Sequence, residues 1–69
     1  MNNVFGERLR ELRTEKGLSA RALGDEVGVS NASIIDWENG KHEVKAESLI
    51  RLAKFFDVST DYLLGLTDD

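Results

Sequence analysis

Few residues in this chain have types and spacing suited to covalent chemistry. The acids Glu7, Glu11 and Glu15 recur every four positions, which stacks them on one helical face. A carboxylate site for acid–base work would also need a pocket, and the surrounding ERLRELRTEK offers none. Pairing at i,i+3 or i,i+4 with Arg8 and Arg10 is the simpler use of that face. His42 is the only histidine and there is no cysteine, so no second metal ligand stands beside it and a metal role is not expected. The sequence holds no Gly-rich phosphate loop and no nucleophile with a base partner. The expectation is a protein that is not an enzyme and needs no cofactor.

The stretch 28–41, GVSNASIIDWENGK, is of another kind. It reads as a tight turn, a helix capped by Ser30, and a stop at Asn39-Gly40. Ile34 and Trp37 are three apart and face inward together. Asn31, Ala32, Ile35 and Asp36 occupy the opposite face, since 31 with 35 and 32 with 36 are each one turn apart. The segment before it, SARALGDEVG, gives a second short helix capped by Ser19, whose Ala22, Leu23 and Val27 face inward. Gly28 suits the turn between them, which wants a positive φ. Gly24 falls where the two helices cross, so a large side chain there would force them apart. Residues 19–39 therefore form a helix-turn-helix, with a shared core of Leu23, Val27, Val29, Ile34 and Trp37.

The remaining elements position this pair. Asn2 or Asn3 caps a first helix with Phe5, Leu9 and Leu12 on one face, ending at Lys16-Gly17. A fourth helix carries Leu49, Leu52, Ala53 and Phe56, the i, i+3, i+4, i+7 pattern of a buried stripe. Ser59 or Thr60 caps a last helix with Tyr62, Leu63 and Leu64, closed by Gly65. With no proline, no strand signal and 69 residues, the fold class is all-α, a single domain of five helices over 1–69. The closing residues 65–69 suit the start of a linker.

Net charge is −4, which argues against a simple polyanion binder, but the charge is uneven. Residues 1–21 carry five bases and three acids, whereas 57–69 carry four acids and no base. A basic face built from the first half is thus compatible with an acidic tail, and solubility alone accounts for the tail equally well. No apolar run approaches the roughly 20 residues that span a bilayer, and MNNVFGERLR is no signal peptide. A cytoplasmic protein without a membrane partner is expected.

Taken together, LRELRTEKGLSARALGDEVGVSNASIIDWENGK and LIRLAKFFDVSTDYLLGL resemble the lambda-repressor-like, Cro/Xre type of helix-turn-helix regulator over residues 4 to 66. The STDYLLGL ending is similar to phage-type repressors of Gram-positive bacteria. The resemblance implies a five-helix bundle with a central helix-turn-helix and double-stranded operator DNA as partner, bound by a homodimer on a palindrome. It puts Asn31, Ala32 and Asp36 at base-reading positions, with Ser30 and Ser33 near the backbone. It further implies phosphate contacts from Ser19, Arg21, Asn39 and Lys41, and an internal ion pair between Arg13 and Glu38. Lys45 stands where the family commonly has a capping serine; the fourth helix loses that cap while Lys45 gains a reach to phosphate.

On the chemistry of the groove, Asn31 suits adenine, Ala32 and Ile35 suit thymine methyls, and Asp36 can accept from cytosine N4. Each assignment has a plainer rival. Asn31, Ser33, Arg10 and Arg21 could be solvated surface residues, and for Arg8, Arg51 and Lys54 solvation is the leading reading. Phe55, Val58, Leu64 and Leu66 either close the bottom of the core or form a dimer surface. The rival function is a protein-interaction module on the same scaffold, antitoxin-like or the target of an anti-repressor.

Overall fold

The computed structural model describes residues 3–68, so Asn2 as a cap and Asp69 lie outside the described residues. Five helices follow one another: α1 (Val4–Glu15), α2 (Ala20–Val27), α3 (Asn31–Glu38), α4 (Ala46–Phe56) and α5 (Thr60–Leu64). No strand occurs among the described residues. The helix starts follow from local chemistry. Ser19, Ser30 and Ser59 have extended backbones, and each hydroxyl accepts from the amide three residues on, those of Ala22, Ser33 and Tyr62, which satisfies an otherwise orphan donor. Lys45 opens α4 in the same extended conformation but with no side-chain cap.

The core is Leu9, Leu23, Val27, Ile34, Trp37, Leu52, Ala53, Phe56 and Leu63, drawn from all five helices. No polar residue among the described residues is fully buried. Two glycines set how closely the helices approach α3. A Cβ on Gly24 of α2 would lie 2.4 Å from the Val29 carbonyl oxygen, and one on Gly6 of α1 would lie 2.5 Å from that of Trp37. Either contact is sterically impossible without moving backbone. Beside the second crossing, Phe5 meets Trp37 edge-on with ring centroids 6.5 Å apart.

Arg8 is a correction to the solvated reading. Its guanidinium donates to the Tyr62 and Thr67 carbonyls, the latter at 2.6 Å. It stacks 4.3 Å above the Tyr62 ring and reaches Asp68 at 3.4 Å. Arg8 therefore clamps α5 and the residues after it onto α1 rather than pairing along the Glu7–Glu11–Glu15 face. Arg51 is also engaged, with Glu47 at 2.7 Å and the Val27 carbonyl at 3.4 Å.

Candidate nucleic-acid interface

The site is built on α3, whose inner face is fixed from three directions. Ile34 and Trp37 enter the core. Asn3 accepts from the Gly6 amide at 3.2 Å and donates to the Glu38 carbonyl at 2.8 Å, so one side chain caps α1 and ties it to the end of α3. Arg13 grips the Glu38 carboxylate through two nitrogens, Nε to Oε2 at 2.6 Å and Nη2 to Oε1 at 2.9 Å. Its third nitrogen, Nη1, donates to the Leu18 carbonyl at 2.9 Å. Both side chains are largely buried, 16% and 7% exposed. The hydrogen bond to Glu38 raises the Arg13 pKa, with burial opposing and the nearby charge adding to the rise. Glu38 is thus turned inward and offers no charge at the surface.

The outward face is left open. Asn31 and Ala32 are exposed, and Ile35 is 43% exposed although it is a large apolar residue in mid-helix. Asp36 is half-buried. At the N-terminus the Ser30 hydroxyl serves the cap and lies 3.2 Å from that of Ser33. At the other end the Gly40 amide bonds the Trp37 carbonyl at 3.2 Å and the Lys41 amide bonds that of Asp36 at 2.9 Å. Gly40 has φ 74°, the left-handed conformation this double closure requires. The turn seats Asn39 and exposed Lys41 immediately beyond the helix.

Two other elements begin with residues of phosphate-binding type. Ser19 caps α2, and Arg21 is exposed in its first turn. Lys45 is exposed at the start of α4. Cations and unpaired helix-start amides are the groups that hold phosphate.

The structure separates the four residues considered for a dimer surface. Phe55 and Val58 pack partly buried against the core, and Phe55 lies under Lys16, 5.4 Å from its ring centroid. Leu64 and Leu66 are 43% and 73% exposed. Phe55 and Leu64 line different hollows, the first with the end of α2, the second with Asn3, Phe5 and residues 40–44.

The profile of the helix-turn-helix family matches residues 9–63. The chain belongs to that family, in its Cro/Xre type. Among helix-turn-helix relatives it is 36% identical over 66 residues to the uncharacterized transcriptional regulator YobD of Bacillus subtilis, covering 96% of this chain and 59% of YobD. It is 43% identical over 61 residues to repressor protein C2 of Salmonella phage P22, covering 88% of this chain and 30% of the repressor. The chain thus spans only part of these relatives. Among solved structures, the P22 c2 repressor in complex with synthetic operator 9T superposes with a TM-score of 0.83 at 42% identity, over 87% of this chain and 91% of that one. The restriction-modification controller protein C.AhdI of Aeromonas hydrophila gives 0.79 at 37% identity, over 88% and 90%.

Two contributors to the site escaped the sequence reading. Asn3 was legible as a cap, but its second bond goes to a backbone carbonyl, which leaves no mark in the sequence. His42 was set aside for want of a metal-ligating partner. It has a different one: its Nδ1 lies 3.2 Å from Asp36 Oδ2.

Proposed function

We propose that this chain is the DNA-reading domain of a transcriptional regulator, a repressor that acts by occupying operator DNA, with α3 in the major groove. The observation that carries the reading is the open face of α3. Ile35 stands exposed there between Asn31 and Asp36 while the helix behind it is held by core, cap and ion pair. That apolar side chain lies outside the core of the described residues, and a thymine methyl would cover it. The operator-bound P22 c2 relative supports the same use of the scaffold.

In this reading Asn31, Ala32, Ile35 and Asp36 meet base edges. Ser19, Arg21, Ser30, Ser33, Asn39, Lys41 and Lys45 lie along the backbones. Two copies pair on a palindrome, through a contact that the exposure of Leu64 and Leu66 favours over Phe55 and Val58. No helix among the described residues is long and apolar enough to cross a membrane, and a cytoplasmic site of action accords with a DNA partner. Repression then requires no reaction: bound protein excludes other proteins from the same stretch of duplex. The net charge of −4 favours the rival in which α3 docks on a protein.

Selection from a random DNA pool, followed by titration of the winner, tests the proposal. Asn31→Ala is expected to change the selected sequence and cost about 1–3 kcal/mol on the original site. Lys41→Ala is expected to weaken all sequences alike. Failure of a folded sample to enrich any sequence would transfer the case to the protein-docking reading.

A further inference from the structure

An acid on a DNA-facing helix has two handicaps. It is repelled by phosphates, and its free carboxylate rotates among geometries of which few suit one base. Asp36 is held against the second by a residue that lies six positions on. The Gly40 closure brings the Lys41 amide to the Asp36 carbonyl at 2.9 Å, and the next residue, His42, folds back so that Nδ1 comes within 3.2 Å of Asp36 Oδ2. An ionised carboxylate only accepts hydrogen bonds, so Nδ1 carries the proton and donates. The bond occupies one carboxylate oxygen and leaves Oδ1 for another donor. The imidazole side chain is 71% exposed and the carboxylate 34%, and a pair so open to solvent contributes little to folding.

We infer that His42 is a specificity-positioning residue: by holding Asp36 Oδ2 it presents Oδ1 to the exocyclic amine of a cytosine in the major groove. The inference rests on the proposed DNA-reading role of α3. Cytosine is the base whose major-groove edge offers a donor and no acceptor beside it, which is what a fixed carboxylate oxygen can use. Asn31 and Ala32 cannot make that distinction, so the pair gives the helix a reading that its other exposed residues lack.

The test is selection from a random DNA pool with the wild-type chain and with Asp36→Ala, His42→Ala and His42→Gln, followed by titration on the selected site and on its single-base variants. Thermal melting checks that all four chains fold. The expected result is a cytosine at one position per half-site in the wild type, lost in Asp36→Ala. In His42→Ala, discrimination at that position should fall roughly fivefold or more, with other positions unchanged. His42→Gln, which retains a donor, should recover part of it. A selected site that His42→Ala reads as the wild type does, or whose preferences do not change in Asp36→Ala, would overturn the inference and leave DNA reading intact. No selected site with any chain would overturn both.

Discussion

Arg13 and Glu38 show how a single pair settles what a charge on the recognition helix is for. Two hydrogen bonds in parallel fix the carboxylate, and the Leu18 carbonyl takes a third donor of the guanidinium. Removing one member strands the other where little water reaches it, so Glu38→Ala is expected to cost about 2–4 kcal/mol in urea denaturation. Arg13→Lys should retain only part of the pair's contribution, because an ammonium cannot make the paired bonds. The pH dependence follows from the raised pKa of Arg13. A cation whose pKa is higher folded than unfolded contributes fully below its unfolded value and loses that contribution only as pH rises through the folded one. For a guanidinium that lies in strong alkali, so the coupling measured by a double-mutant cycle should be constant from pH 7 to pH 10. The pair could be named from the sequence only through resemblance. The clamp of Arg8 was out of reach even so, because Tyr62 and Thr67 take part through backbone carbonyls that any residue type supplies.

Among the elements, the helix-turn-helix was the most legible part, since Ser19, Gly28, Ser30 and Gly40 mark each start and stop with a residue whose conformation or capping chemistry is specific. Helix crossings were less so. Gly24 was readable from its place before the turn, whereas Gly6 packs its α-carbon on the carbonyls of Trp37 and Glu38, over thirty residues away. Gly24→Ala weighs two effects. Alanine gains about 1 kcal/mol of helix propensity, but its methyl would meet the Val29 carbonyl at 2.4 Å, and overpacking of this kind costs about 1–3 kcal/mol. The net expectation is a loss of about 1 kcal/mol in chemical denaturation; a gain would show that α2 and α3 separate freely. The uncapped start of α4 gives an opposite case. Lys45→Ser supplies the missing acceptor at a residue already in capping conformation and is expected to stabilise the fold by about 1 kcal/mol. Under the proposed function the same change should weaken binding to every DNA sequence and make its salt dependence shallower by about one unit. Stability and binding moving in opposite directions would mark Lys45 as a residue kept for its charge.

For the whole molecule, the proposed function requires a chain of net charge −4 to hold a polyanion. The described structure disposes of its charges unevenly. Glu38 is internal, Asp36 is paired, and Asp68 lies against Arg8, while Arg21, Lys41 and Lys45 stand exposed on three segments. Under the proposed function, the net charge governs solubility and long-range approach, and the three cations govern contact with phosphate. Each phosphate neutralised contributes about −0.9 to the slope of log affinity against log salt. Arg21, Lys41 and Lys45 together predict a slope of about −3 for one copy on a half-site. Two copies on a palindrome should double it to about −6. Titration of a half-site duplex and a full-site duplex across salt concentrations measures both numbers on one preparation. Equal slopes on the two duplexes would mean that one copy binds alone. A slope near zero on both would mean that the three cations meet no phosphate, and the acidic balance of the chain would then favour a protein on the face of α3.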